Sequence, residues 1–216
     1  MGKLVASDDD AAAIACAREA AEATDGSVVG VTVGNGDASW AAARGAEKTM
    51  KCETVMPVSD DAAMAKALCD LVKAAPKADL VIMGDSIEAA GVAPTLAALL
   101  GVPCILGVRE FSIDPSEAGV LKATRPCGDG LESIRFKAPA LVSVSAAGSE
   151  KKTPSMKEML AARKKPSDSV EGVEANSAVA VAEIKPAEVK RAKVFEGTPD
   201  EAAVQLVAAL QADGIL

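Results

Sequence analysis

The chain has 216 residues, of which 50% are apolar and 25% are charged, and its formal net charge is −8. This composition is globular and favours one domain with an appended segment. The acidic charge and the 2% of aromatic residues argue against a general nucleic-acid binder, which needs cations for phosphates and rings for bases. The sequence has no histidine, which excludes histidine general acid–base catalysis and histidine metal ligands.

The first half of the sequence alternates between strand and helix patterns. Four strands are predicted from short runs of apolar or β-branched residues: Lys3–Ala6, Ser27–Val33, Glu53–Val58 and Asp79–Met83. Each is followed by a predicted helix: Asp8 to Thr24 after an N-cap at Ser7, Ala38–Lys51, a helix capped by Ser59, and Ala89–Leu100 stopped by Gly101. Four such units predict a doubly wound, parallel α/β sheet. Ligands of such sheets bind beyond the carboxyl ends of the strands, here Ala6-Ser7, Val33-Gly34 and Gly84-Asp85.

The second half of the sequence has a different pattern of predicted secondary structure. Further strand-like runs are separated by short turns at Asp114-Pro115 and at 128–130, which predicts an antiparallel addition. The runs are Cys104–Ser112, Gly119–Arg125, Leu131–Lys137 and Leu141–Ser145. Beyond them, a capping box of Ser155 and Glu158 opens a predicted helix, Met156–Lys165. Residues 167–190 are predicted to form an extended arm, and a second capping box at Thr198 opens a C-terminal helix that ends at Gly214.

Four short patterns could carry chemistry. Gly34-Asn35-Gly36 is half of a dinucleotide-binding fingerprint, and a plain tight turn explains it better. Asp8–Asp10 could bind a metal, but acids at a helix start more often complement the helix dipole. Asp85 and Glu88 could form a carboxylate pair, without other support for hydrolysis. The N–H groups of 91–95, at a helix start, would suit a phosphate, although an ordinary helix start is an equal alternative.

A basic stretch stands out in this acidic chain. Between residues 151 and 165, six cations accompany one acid, Glu158. The cations are Lys151, Lys152, Lys157, Arg163, Lys164 and Lys165. A solvated helix face would explain them, but Met156 lies among them, and its flexible thioether suits adaptable contact with a partner. Protein docking is therefore one of two interpretations of this stretch.

Three segments together resemble the beta (small) subunit of the electron-transfer flavoproteins, the FixA-type family. They are residues 79–103 (DLVIMGDSIEAAGVAPTLAALLGVP), 128–145 (GDGLESIRFKAPALVSVS) and 154–166 (PSMKEMLAARKKP). The resemblance implies an adenine-nucleotide-hydrolase-like fold for residues 1–146. It implies a partner-recognition loop and helix at 147–166, and an arm and helix at 167–216 that pack on an alpha subunit.

The resemblance also implies a function. The chain would form a heterodimer with an alpha subunit that carries most of the FAD contacts, and would itself bind AMP or a second FAD. Candidate cofactor-binding residues are Ala6, Thr32, Gly84, Asp85, Ser86, Gly91, Val92, Ala93 and Thr95. The loop 148–160 would capture flavin dehydrogenases through Ser155, Met156, Lys157 and Met159, with Met156 in place of a leucine. The protein would carry electrons without catalytic residues of its own, in the cytoplasm, where its five scattered cysteines would stay reduced, and without membrane insertion.

Departures from the family pattern weaken the nucleotide prediction. Residues 85–90 replace a longer loop, Gly91 stands where the family has glutamine, and Ala11 lies near a family phenylalanine. Three acids at the mouth of the first strand would repel a phosphate. We therefore expect weak or absent AMP binding. Two alternatives stay open: a stand-alone adenine-nucleotide module of the universal-stress type, and a beta-like scaffold that has lost its nucleotide.

Overall fold

The computed structural model describes residues 6–34, 36–54, 60–114, 117, 119–146, 153–183, 185–186 and 192–216. The chain falls into two compact units, Met1–Ala180 and Val181–Leu216. The helices are α1 (Asp8–Thr24), α2 (Ser39–Ala43), α3 (Asp61–Ala74), α4 (Val92–Leu100), α5 (Met156–Ala162) and α6 (Pro199–Ala212). The strands are β1 (Val29–Val33), β2 (Lys48–Cys52), β3 (Leu80–Gly84), β4 (Cys104–Val108), β5 (Glu110–Ile113), β6 (Val120–Cys127), β7 (Gly130–Lys137), β8 (Ala140–Val144) and β9 (Ser167–Ser169).

Two groups of parallel strands form the centre of the first unit. In one, β8 lies between β3 and β4, with Gly84 of β3 in register with Val144 of β8. In the other, β2 lies between β1 and β9. Because β3 and β8 are parallel and in register, their carboxyl ends lie side by side at one edge.

The core follows from the strand sequences. Leu141, Val142 and Val144 of β8 are fully buried, as expected for a parallel strand covered on both faces. Alanines of α1 pack with β4, β5 and β8 in one cluster, while Leu96 of α4 packs with Leu141 in another. The interior is thus built mainly from small and branched side chains, in keeping with the scarcity of aromatic residues.

An antiparallel sheet, β5-β6-β7, extends the same core. Cys127 pairs with Gly130 across a two-residue turn, and Gly128 occupies its first position with φ of 56°. A positive φ at that position is typical of a type II′ hairpin turn, which suits glycine. The predicted fold class is therefore confirmed: a mostly parallel α/β arrangement with an antiparallel addition and a C-terminal helix.

The prediction of one helix over Ala38–Lys51 is wrong. The helix ends at Ala43, Gly45 has φ of 121°, and β2 begins at Lys48. Thr49, Met50 and Cys52 are buried, so tertiary packing overrides the local helical pattern. Of the strand expected at Glu53–Val58, the first two residues lie outside β2, and the rest lie outside the described residues.

Other boundaries differ as well. The run Cys104–Ser112 divides into β4 and β5, and both β4 and β8 belong to the parallel group, so the antiparallel part is smaller than expected. The first predicted strand, apart from Ala6, and the predicted cap Ser59 lie outside the described residues. Asp60 caps α3 by accepting a hydrogen bond from the Ala63 N–H at 3.0 Å.

The first unit extends beyond the predicted boundary at residue 166. Residues 167–169 form β9 against β2, and the Val170 N–H donates to the Lys51 carbonyl at 2.8 Å. Val173 is buried against Cys52, Ala67 and Leu71. The beginning of the expected arm is therefore part of the α/β unit.

The second unit contains α6, whose start has the predicted capping box of Thr198 and Glu201. None of the residues of α6 is buried. Within the described part of the chain, no helix combines the length and the apolar character needed to cross a membrane.

Candidate functional site

The start of α1 crosses the carboxyl edge formed by β3 and β8. A Cβ atom at Gly84, the last residue of β3, would lie 2.7 Å from the backbone nitrogen of Asp10 and 2.8 Å from its Oδ1. Such contacts are too short for a real Cβ atom, so the close approach of α1 to this edge requires glycine. The structure thus places the start of α1 where a doubly wound fold usually receives a ligand.

The acids at the start of α1 bond within the chain. The Asp9 carboxylate accepts a 2.6 Å hydrogen bond from the N–H of Ala146, just beyond β8. Asp10 completes a capping box with Ser7, whose N–H donates to Asp10 Oδ2 at 2.7 Å. Among the described residues no acid or cysteine cluster could hold a metal ion. The interpretation of these acids as helix-start residues is supported by these contacts.

Asp85 is held in a partly buried hydrogen-bond network. Its N–H donates to the Val144 carbonyl at 2.8 Å, and its Oδ1 accepts from the Ser143 hydroxyl at 2.9 Å. Ser143 is fully buried and accepts in turn from the Gly107 N–H at 3.0 Å. Asp85 therefore links the ends of β3, β8 and β4. Sequence reasoning missed Ser143, because a serine within an apolar run gives no signal of its partner.

The start of α4, considered above for a phosphate, already contacts a carboxylate. The Gly91 N–H donates to Asp61 Oδ2 at 2.8 Å, and a Cβ atom at Gly91 would lie only 2.6 Å from that oxygen. Asp61 lies in the first turn of α3, so one carboxylate serves the N-terminal ends of two helices. The nearby Ala89 N–H donates to the Ser86 hydroxyl at 3.2 Å.

A small pocket of about 80 Å³ lies between these elements. Five predicted cofactor residues line it: Gly84, Asp85, Ser86, Val92 and Ala93. The apolar side chains of Met64 and Leu68, from α3, complete this part of the lining. Ligand pockets usually span roughly 300–1,000 Å³. The residues present therefore do not fit a phosphorylated adenine nucleotide: the pocket is small, and the N–H group of Gly91 is bonded to Asp61.

The remaining predicted cofactor residues lie elsewhere or are engaged. Thr32 is in β1, paired with Lys51, in the other group of parallel strands. Ala6 is exposed ahead of α1, and the Thr95 N–H bonds to the Gly91 carbonyl within α4. The structure thus brings together only part of the predicted set.

The second group of parallel strands is also covered by the chain. Thr54, two residues beyond β2, donates its hydroxyl to the Val173 carbonyl at 2.7 Å. Asp60 Oδ2 accepts from the Ser177 hydroxyl at 2.8 Å and from the Ala178 N–H at 3.0 Å. The Ala63 N–H at the start of α3, followed by the Ser177 hydroxyl and the Ala178 N–H, holds the pKa of the Asp60 carboxyl below its usual range.

Helix α5, unlike the strand ends described above, leaves large side chains uncovered. Its capping box forms as predicted: Ser155 donates through both N–H and hydroxyl to Glu158 at 2.7 Å, and the Glu158 N–H donates back to the hydroxyl. Met156 is 68% exposed, Met159 43% and Leu160 55%. Lys157 is exposed as well, whereas Lys151 and Lys152 lie outside the described residues. A rigidly started helix thus presents three large apolar side chains to solvent.

One of the six cations is not solvated as expected. Lys165 Nζ donates to the carbonyl oxygens of Ala42 at 2.9 Å and Ala46 at 2.8 Å, at the end of α2. Arg163 and Lys164 are exposed. Sequence reasoning grouped all these cations together, because Ala42 lies 123 residues away from Lys165.

The fold places the chain in the class of α/β proteins that combine mostly parallel strands with an antiparallel extension. The electron transfer flavoprotein domain matches residues 2–177, which is most of the chain. The chain belongs to the electron transfer flavoprotein family, and the resemblance seen in its sequence is confirmed.

Beta subunits are the relatives that it matches. It is 30% identical over 199 residues to electron transfer flavoprotein subunit beta of Mycobacterium tuberculosis, covering 83% of this chain and 74% of the relative. It is 29% identical over 146 residues to the subunit of the same name from Bacillus subtilis, covering 62% of this chain and 56% of the relative. The match thus spans little more than half of the Bacillus protein.

Proposed function

We propose that this chain is the beta subunit of an electron transfer flavoprotein and forms a heterodimer with an alpha subunit that holds FAD. FAD would supply the redox chemistry. The residues of this chain would assemble the heterodimer and contact the flavin dehydrogenase that donates electrons, with no catalytic residue of their own. One observation carries the docking role: α5 presents Met156, Met159 and Leu160 to solvent from a capped start.

Within this proposal the chain binds no AMP of its own. The bond from Gly91 to Asp61 and the small pocket support this, as do Asp9 and Asp10, which add negative charge beside the same edge. The same contacts count against a stand-alone adenine-nucleotide module. They favour a beta subunit that has kept the fold and lost the nucleotide.

Purification of the chain co-expressed with an alpha subunit tests the assembly. We expect a yellow heterodimer whose extracted cofactor, resolved by chromatography, is FAD without AMP. A colourless homodimer that retains an adenine nucleotide would instead support the stand-alone module.

Met156→Ala tests the docking role. Burial of a methionine in a partner's apolar pocket contributes about 1.5–3 kcal/mol. We therefore expect the rate of electron transfer from the dehydrogenase to fall by about ten- to a hundredfold, since each 1.4 kcal/mol of lost binding energy lowers the affinity tenfold. The measurement is steady-state reduction of the heterodimer by a purified flavin dehydrogenase that reduces the wild type.

Leu131→Ala is the matched control, because Leu131 is similarly exposed, at 69%, but lies in β7. Chemical reduction by dithionite needs no docking and should be equal in all variants. Unchanged transfer in Met156→Ala, or a loss of flavin that parallels the loss of transfer, would contradict the docking role.

A further inference from the structure

Helix α5 has one face in the protein and one in solvent. Ala162, in its last turn, is buried. Helices α5 and α2 pack against each other. Met156, Met159 and Leu160 are on the exposed side. The direction in which these side chains point therefore depends on how the end of α5 is held against α2.

Lys165 fixes that end. Its ammonium group bonds to the carbonyl oxygen of Ala42, in the last turn of α2, at 2.9 Å and to that of Ala46, three residues beyond α2, at 2.8 Å. A cation at the C-terminal end of a helix also complements the helix dipole. The two bonds cross-link the residues after α5 to the end of α2.

The next residues continue the attachment. The Pro166 carbonyl accepts from the Thr49 N–H of β2 at 2.9 Å, and β9 follows at once. Residues 165–169 therefore tie α5 to both α2 and β2. Lys164, by contrast, is exposed.

We propose that Lys165 is a positioning residue for partner docking: its ammonium group orients α5 so that Met156 and its apolar neighbours face the partner, a flavin dehydrogenase. This inference rests on the proposed docking function. It assigns different roles to two adjacent lysines, one that orients the helix and one, Lys164, that adds positive charge at the surface.

Lys165→Met tests this role, because methionine keeps an unbranched apolar stem and removes the ammonium group. Lys164→Met is the matched control, with the same loss of charge one residue away. The assay is reduction of the heterodimer by the purified flavin dehydrogenase that reduces the wild type. KM and kcat are measured with the heterodimer as the varied substrate.

We expect Lys165→Met to raise KM about tenfold, which corresponds to about 1.4 kcal/mol. The value of kcat, the flavin spectrum and the rate of reduction by dithionite should stay unchanged. Lys164→Met should alter mainly the salt dependence of association. In the double variant with Met156→Ala the effects should be less than additive, because a misdirected α5 no longer delivers Met156 to its pocket. Lys165→Arg should recover most of the wild-type KM.

Three results would overturn the inference. Equal rises of KM in Lys165→Met and Lys164→Met would show that the effect comes from the loss of one positive charge and not from the position of Lys165. Full additivity with Met156→Ala would show that Lys165 acts elsewhere. Loss of flavin or of the heterodimer in Lys165→Met, with Lys165→Arg no better than Lys165→Met, would assign Lys165 to folding or assembly alone. If Met156→Ala itself leaves transfer unchanged, the proposed docking function fails first, so the two failures are distinguishable.

Discussion

At the carboxyl edge of the parallel strands, carboxylates of the chain satisfy its own donors, whereas α5 leaves large apolar side chains in solvent. Asp9 accepts from the Ala146 N–H and Asp61 from the Gly91 N–H. Met156 and Leu160 have more than half of their surface exposed. Polar groups that could bind a small ligand are thus paired internally, while apolar groups that could bind a protein are not. The difference supports the proposal that α5, rather than the sheet edge, provides the recognition surface.

Gly84→Ala is expected to have the largest effect on stability. Its Cβ atom would lie 2.7 Å from the backbone of Asp10, and backbone can move only by shifting the start of α1. Overpacking of this kind costs about 1–3 kcal/mol. The measurement is urea unfolding of the heterodimer, followed by circular dichroism. Gly107→Ala is the control for a glycine on a strand, because no atom lies within 4 Å of a Cβ there, although its φ of 67° adds backbone strain. If Gly84→Ala is no less stable than wild type, the edge is not closed by α1.

Asp61→Asn tests whether the negative charge of Asp61 stabilises the start of α4. The amide can still accept from the Gly91 N–H but loses the charge, and hydrogen bonds to charged groups contribute about 1.5–3 kcal/mol against about 1 kcal/mol for neutral ones. We expect a loss of stability of about 1 kcal/mol, measured by the same unfolding experiment.

Calorimetry with AMP on wild type and Asp61→Asn tests whether the start of α4 can bind a nucleotide. We expect no measurable binding in the wild type, because the Gly91 N–H is occupied and the pocket is small. Adenosine is the control ligand without a phosphate. Micromolar or tighter binding of AMP to the wild type would show that the edge remains a nucleotide site.

The sequence predicts best the features that depend on neighbouring residues. The capping boxes at Ser155 and Thr198 form as expected, because each joins residues three positions apart. The N-cap of α1 at Ser7 is equally local. The apolar runs of β3 and β8 predict strands, and β8 is buried along its whole length, as expected for a strand covered on both faces.

The features that sequence analysis missed depend on distant partners. The local pattern of β2 predicts a helix, because the strand depends on pairing with residues far along the chain: β2 pairs with β9, and the Thr49 N–H bonds to the Pro166 carbonyl. The bond from Gly91 to Asp61 spans 30 residues, and that from Lys165 to Ala42 spans 123. No local pattern separates Lys165 from Lys164. The strand ends and helix starts at the sheet edge could therefore be predicted approximately from sequence, but not the contacts that close that edge.

Ser177→Ala is expected to have the smallest effect, and it concerns the part of the edge beyond β2. Its hydroxyl donates to Asp60 Oδ2 at 2.8 Å and contributes to the lowered pKa of that carboxyl. Removal of the hydroxyl should raise the pKa of Asp60 toward its ordinary value, and a carbon-detected NMR titration of the carboxyl measures this.

The sign of the effect on stability follows from linkage. A carboxyl whose pKa is lowered in the folded state stabilises that state above the unfolded pKa, and this contribution is lost as the pH falls through the folded value. The melting temperatures of wild type and Ser177→Ala should therefore differ most near neutral pH and converge in acid. Ser133→Ala, on an exposed position of β7, should behave as wild type throughout. A constant difference at every pH would show that Ser177 acts through its hydrogen bonds to the Val179 backbone, and that the segment after β9 is not held by Asp60.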